Sequence, residues 1–286
     1  MMKERTLRVL EFTKIRDRLA SKAMTEMGRE RCEALVPSSN ITEIQRMQAE
    51  TEEATVILQY VGASPLVPFS DVRASLTLAE KGATLSPKAL LEVAALMQSA
   101  RAARKALDTE RDNTPILKEL AQRLSTLHNV EQDITNAIIS EDEIADRASN
   151  ELMDIRRHLR GANERIKEKL NQMIRSSAFQ KYLQDPIVTM RNDRYCLPVK
   201  AEYRGSVPGL VHDQSSTGAT LFIEPMAAVE MGNELKTWAA KEKQEIERIL
   251  AALSAEIAPY ADQLRETVET LAELDYIFAK GDRKSV

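Results

Sequence analysis

The chain has 286 residues, 29% of them charged and 4% aromatic, with a formal net charge of −4. That length can bury a real core, and the Ala, Leu, Glu, Arg and Lys-rich composition points to a mainly α protein rather than a compact β or α/β enzyme. The acidic balance excludes a general nucleic-acid magnet, and Cys32 and Cys196, far apart and without a Cys-x-x-Cys partner, fit a reducing compartment. The charged start MMKERTLRVLEF lacks a signal-peptide core, and no apolar run reaches the ~20 residues of a membrane span, so a cytoplasmic protein without membrane contact is expected.

Apolar residues at Leu7, Leu10, Ile15, Leu19, Ala23, Met27 and Leu35 recur at helical spacing, with Gly28 expected to break or kink the run. Pro37-Ser38-Ser39-Asn40 reads as a stop and restart. Asn40 or Thr42 can cap a helix over about Thr42–Tyr60, which ends at Gly62 and the Pro65/Pro68 loop. Shorter helices are predicted over Asp71–Glu80, Pro87–Leu107, Pro115–Leu127 and Glu131–Ile139. For Pro87–Leu107, Ser86 is the N-cap and Pro87 takes the first helical position. Residues 1–145 therefore read as a helical core domain.

From Ser149 to about Tyr182 the seam narrows to Leu152, Ile155, Leu159, Ala162, Ile166, Leu170, Met173 and Ile174, as in a coiled-coil arm. A returning helix repeats the spacing at Ile246, Leu250, Leu253, Ile257, Leu264, Val268, Leu271 and Phe278, and Pro259 should kink it or split it in two. The two seams are expected to form a long antiparallel helical arm over 146–184 and 226–280, followed by a tail at 281–286. Between them, 185–225 carries Pro186, Pro198, Pro208 and Pro225 with Gly205, Gly209 and Gly218, a density of breakers that excludes a continuous helix. Ile187–Arg191, Arg194–Lys200, Gly209–Asp213 and Ala219–Ile223 suit short strands, and Asn192-Asp193 suits a hairpin turn. The expected architecture is a helical core plus an arm that carries a small inserted β module.

Chemistry is sparse. A P-loop needs Gly-Lys followed by Ser or Thr, and no glycine here precedes a lysine, which excludes that NTPase motif from the chain. His128, His158 and His212 are scattered, so no metal site and no cofactor are expected. His212 and Asp213 are neighbours in a predicted strand and should point to opposite faces, which disfavours a triad with Ser215 or Ser216; QSSTG reads better as a turn. Trp238 reads as packing.

Charge is unevenly spread. Residues 1–146 carry 19 basic and 23 acidic groups, 147–204 carry 13 and 7, and 205–286 carry 8 and 14, so only the middle block is positive, at +6. Arg156, Arg157, Arg160, Arg165, Lys167 and Lys169 mark the outgoing helix; Arg191, Arg194, Lys200 and Arg204 mark the β module. Such cations can neutralise phosphates with salt-dependent affinity. On the helix they equally make a solvated face with i,i+4 partners. In the β module they cluster with Tyr195 and Tyr203, a pairing suited to nucleic acid or to a dimer contact. The nucleic-acid candidates are Arg156, Arg157, Arg160, Arg191, Arg194, Lys200, Arg204 and His212, the last on its polar strand end.

YLQDPIVTMRNDRYCLPVKAEYRGSVPGLVHDQSSTGATLFIEPMAAVEMGNEL resembles the β-module signature of the MutS-two family, the second bacterial MutS paralogue. LRVLEFTKIRDRLA, GRERCEALVPSSNITEIQRMQAETEEA, EKGATLSPKALLEVAALM and LAELDYIFAK resemble its opening, middle and closing helices, so the likeness spans nearly the whole chain. The resemblance implies a core, lever and clamp-like region followed by a dimerising ATPase and a Smr-type nuclease domain. It also implies suppression of recombination through branched DNA and rescue of collided ribosomes. After Lys280 the sequence GDRKSV leaves the family pattern, so the family's catalytic residues, ATP and Mg²⁺ find no positions here. The expectation is a non-enzymatic portion that contacts branched DNA or ribosomal RNA, with a homodimer as further partner. The competing expectation is a dimerisation scaffold.

Overall fold

The computed structural model describes residues 4–108 and 114–284, and the protein is mainly α with small antiparallel sheets. It divides into two units, Met1–Ala145 with Leu250–Val286, and Asp146–Ile249.

The first unit begins with three helices, α1 (Glu4–Val9), α2 (Phe12–Ala20) and α3 (Glu26–Glu33), where a single helix broken at Gly28 was expected. The breaks fall elsewhere. Glu11 is left-handed at φ 52°, and Thr25 caps α3 by accepting from the Gly28 amide. Gly28 lies inside α3 for a different reason: a Cβ there would stand 2.1 Å from Asp275 Oδ2. Next come α4 (Ile41–Val61), capped by Asn40 as expected, α5 (Arg73–Glu80) and α6 (Pro87–Leu107), capped by Ser86. Helix α6 buries Leu90, Val93, Ala94, Leu96, Met97 and Ala100, too wide an arc for a surface helix, and so runs through the core. Helix α7 (Pro115–Gln122) is shorter than predicted, α8 (His128–Ala137) starts three residues earlier and ends two earlier than predicted, and a small hairpin of β1 (Ile138–Ser140) and β2 (Glu143–Ile144) follows that periodicity did not reveal.

The second unit begins with α9 (Asn150–Arg175), capped by Ser149, and the single turn α10 (Ser177–Gln180). Four strands follow: β3 (Thr189–Arg191), β4 (Arg194–Lys200), β5 (Gly209–Gln214) and β6 (Thr220–Pro225), in the antiparallel order β3-β4-β6-β5. They lie within three residues of the predicted bounds. Asn192 and Asp193 both have positive φ, 50° and 58°, which makes the two-residue turn that matches strand twist. Pro198 sits inside β4, yet β3 stops at the Thr189–Cys196 pair, so no ladder bond is forfeited on that side. One face of the sheet buries Leu197, Val199 and Ile223 with Ile166 and Leu170 of α9.

Helix α11 (Met226–Ile257) returns along α9. After a turn at Pro259, α12 (Ala261–Lys284) follows, so the proline splits the helix as expected. The expected arm over 226–280 is nonetheless too long. Helix α12 packs on α3, α4 and α5 of the first unit, burying Leu264, Val268, Leu271, Leu274 and Phe278. Its stripe is wider than a two-helix seam because it faces several helices at once. Residues 281–284, expected as a tail, continue α12, and Gly281 approaches Ala54 so closely that a Cβ would stand 3.0 Å from the Ala54 Cβ.

Candidate nucleic-acid interface

Helices α9 and α11 are zipped antiparallel by polar rungs. Ser149 Oγ donates to Glu245 at 2.6 Å, Arg156 Nε to Glu242 at 2.7 Å and Arg165 Nη2 to Glu234 at 3.0 Å. Between the last two, His158 stacks on Trp238 with ring centroids 4.3 Å apart and planes 13° off parallel. Lys241 Nζ sits 4.2 Å from the Trp238 ring centre, so the lone tryptophan is a packing residue of the zipper. Asp146 accepts from both Arg156 (2.6 Å) and Arg160 (3.1 Å), and the bond from Arg156 chiefly holds its carboxyl below the usual range. Arg157 pairs with Asp154 at 3.2 Å. Two of the acids that answer this half of α9, Glu242 and Glu234, come from α11, more than 60 residues away in sequence, so i,i+4 inspection of α9 alone could not find them.

The sheet's second face holds a polar cluster around Glu224. This carboxylate is fully buried and lies 3.1 Å from Arg194 Nη1 and 2.7 Å from His212 Nε2. Arg194 also donates to Asn233 at 2.8 Å and is itself only 12% exposed, so its guanidinium is committed inside the fold. His212 reaches Glu224 because β5 bulges there: Val211 pairs with Ile223 and Asp213 with Phe222, leaving His212 as the extra residue whose side chain is re-aimed. Helix α11 closes over the cluster at Gly232, where a Cβ would stand 2.5 Å from Glu224 Oε1. Beside it, Arg191 pairs with Asp213 at 3.1 Å and lies over the Phe222 ring at 4.1 Å. His212 and Asp213 thus have separate partners. Cys196 is buried next to this cluster, and burial, followed by the Glu224 charge, pushes its thiol up to about 11.

A third region differs in kind. Leu183 bridges to Val199, and the Lys200 amide donates to the Tyr182 carbonyl at 3.0 Å, which brings the α10 turn against the end of β4. Phe179, Tyr182 and Tyr203 meet there in a chain of edge and tilted contacts, with centroids 5.9 and 5.3 Å apart. Lys181 Nζ stands 4.8 Å from the Tyr182 ring centre. Arg204 is exposed and donates to the Gly209 carbonyl at 3.3 Å. Among the described residues, Lys181, Lys200 and Arg204 have no carboxylate partner, and neither do Lys167, Lys169 and Arg175 on the last turns of α9.

Of the eight predicted contacts, Arg156, Arg194 and His212 are held in internal pairs and Arg191 is held by Asp213. Arg157 and Arg160 are exposed with one acid each, and only Lys200 and Arg204 join the unpaired group. Sequence reasoning passes over Lys181 and Arg175; their signal is their place between the last acid of α9, Glu168, and Asp185.

No protein-family model matches the chain. It is 46% identical over 285 residues to the protein named Endonuclease MutS2 of Acetivibrio thermocellus. It is 48% identical over 282 residues to that of Alkaliphilus oremlandii and 47% over 280 to that of Symbiobacterium thermophilum. Each match takes in 98% of this chain but only 35–36% of the relative, so the chain spans about a third of the length of the curated relatives it matches.

Proposed function

From a chain that is MutS2-like along 98% of its length, we propose a non-catalytic nucleic-acid-binding portion of a MutS2 protein, holding the phosphate backbone of branched DNA or ribosomal RNA. The observation that carries this reading is the cluster of unpaired cations, Lys181, Lys200 and Arg204, around the aromatic chain Phe179–Tyr182–Tyr203. Cations without carboxylate partners are free to displace counterions from phosphate, and half-buried aromatic edges suit contact with sugar or base. The endonuclease chemistry in the relatives' name is assigned on this reading to the length that this chain does not span, together with any use of ATP and Mg²⁺. No helix among the described residues is long and apolar enough to cross a membrane.

The test is fluorescence anisotropy against a four-way DNA junction, a duplex and a structured ribosomal RNA fragment over a salt series. Replacing Lys181, Lys200 and Arg204 with Gln should flatten the plot of log affinity against log salt by about 0.7–0.9 for each phosphate left without its cation. Replacing Arg157 and Arg160, which already have acid partners, should change it less. Equal effects from the two variants would overturn the assignment.

A second reading, a dimerisation scaffold, is favoured by the exposure of Met190, Leu210 and Met226 at 51, 49 and 56%. It predicts self-association that persists at high salt, as apolar burial does, measurable by sedimentation.

A further inference from the structure

Two apolar surfaces of the first unit stand open in the single chain. One is a groove of about 510 Å³ between α4 and α12, walled by Leu35, Ile44, Met47, Thr51 and Tyr276. Ile41, 71% exposed, lies one helical turn before Ile44 and carries the same stripe of α4 outward. The other surface is the opening helix. Helix α1 packs on α2, yet Val9 at its end and Leu10 just beyond are 74 and 57% exposed.

The two surfaces carry opposite charge. Residues 1–10 hold Lys3, Arg5 and Arg8 against Glu4, three basic groups to one acid, a net of +2. Beside the groove stand Glu43, Glu50, Glu52 and Glu273 against Arg46 and Lys280, four acids to two bases, a net of −2. Both of those cations are held by Glu50, so Glu43, Glu52 and Glu273 face outward as the acidic margin of an apolar floor. The link between α1 and α2 is built to turn. Glu11 is left-handed, at φ 52° and ψ 34°, a conformation that costs a residue with a Cβ. Rotation at that one residue re-aims α1 and leaves α2 seated by Leu19 and Ala20.

We propose that α1 is an exchange arm: two copies of the chain pair about a two-fold axis, each laying Val9 and Leu10 in the other's α4–α12 groove. The basic residues of each arm then lie against the acidic margin, and reciprocal exchange covers both open surfaces at once and stops at the dimer. The contact uses neither the cation cluster nor the exposed Met190, Leu210 and Met226, so it stands or falls separately from the nucleic-acid reading and from a scaffold built on the β module.

Sedimentation velocity of the 286-residue chain over a concentration series should show a monomer–dimer equilibrium. Leu10→Glu in the arm and Met47→Glu in the groove should each weaken it about a hundredfold, tenfold for one buried side chain in each of two symmetric contacts. Circular dichroism checks the fold of each variant. A mixture of the two variants is decisive, because the sound arm of Met47→Glu still meets the sound groove of Leu10→Glu. Mixed dimers should form about tenfold tighter than dimers of either variant alone, read by native mass spectrometry with one variant isotope-labelled. Met190→Glu should leave the dimer as it is. The proposal is overturned if the chain stays monomeric, if either variant dimerises like the wild type, if no mixed dimer forms, or if Met190→Glu disperses the dimer. Should Met47→Glu fail to fold, Ile41→Glu, at an exposed position of the same stripe, takes its place.

Discussion

Glu224→Ala tests the buried polar cluster directly. Glu224 is 0% exposed and compensates Arg194, which is 12% exposed and whose Nε already has no partner. Removing one member of a buried pair typically costs 3–5 kcal/mol, because the survivor keeps its charge without its counter-charge. Arg194 retains Asn233 and some solvent, so the low end, about 3 kcal/mol, is expected, a shift of roughly two decades in the unfolding constant. His212 loses its acceptor as well, which keeps the figure from falling further. The reporter is Trp238, the chain's single tryptophan, whose stack on His158 belongs to the same unit. Urea unfolding followed by its fluorescence reads that unit alone, while far-ultraviolet circular dichroism reads both. The double variant Arg194→Met/Glu224→Leu, which removes both charges and keeps the volume, should recover most of the loss. A loss below about 1 kcal/mol in Glu224→Ala, or a double variant as unstable as the single, would refute the claim that Glu224 is buried for Arg194.

In the first unit, Gly28→Ala should destabilise by about 1–3 kcal/mol, because the new methyl meets Asp275 Oδ2 at 2.1 Å, where that carboxylate holds the Met24 and Thr25 amides; thermal unfolding by circular dichroism checks it. Cys32 and Cys196 are both buried with thiols pushed up to about 11, chiefly by burial, so iodoacetamide at pH 8 should label neither natively and both in urea, as read by intact mass. Asp146 and Glu245 are held below the ordinary carboxylate range, by hydrogen bonds from Arg156 and Arg248 respectively. An acid with a depressed folded pKa lends stability that is complete above its unfolded value and is lost as pH falls through the folded one. The stability reported by Trp238 should therefore fall on acidification below that range, and Asp146→Asn should soften the fall while costing only about 1 kcal/mol at neutral pH, since Asp146 is half exposed and Arg156 keeps Glu242.

What could be read from the residues was local. Asn40 and Ser86 cap their helices because a short polar side chain before an apolar-periodic run can satisfy an orphan amide, and that signal needs no tertiary partner. Asn192-Asp193 was legible for the same reason: both residues tolerate the left-handed region that a two-residue hairpin requires. The larger misreadings involve a distant partner. Gly28 answers Asp275, 247 positions away, so nothing around it distinguishes close approach from a helix break. The spacing of Leu264, Val268 and Leu271 announces a buried face but not which helices cover it, and an arm and a core helix share that period. Glu224, just past the predicted strand Ala219–Ile223, draws no attention in the sequence, whereas the fold places it as the buried partner of Arg194 and His212 on other strands.

The same distinction governs the basic block. Residues 147–204 alone carry +6, but 146–249 carry 17 basic and 15 acidic groups, a net of +2. The difference is not spread evenly. Glu234, Glu242 and Glu245 of α11 meet the first two-thirds of α9, and Glu224 and Asp213 meet Arg194 and Arg191. The remaining positive charge is displaced toward the α10 turn, where Lys181, Lys200 and Arg204 lie beside Tyr182 and Tyr203. A cation count therefore overstates the contact surface, and its centre shifts from the arginines of α9 to residues of which only two stand among those the composition favoured. Binding strength depends on how many phosphates find a cation without a carboxylate of its own. By that measure the proposed contact is centred on the end of α9 and the α10 turn rather than on the arm as a whole.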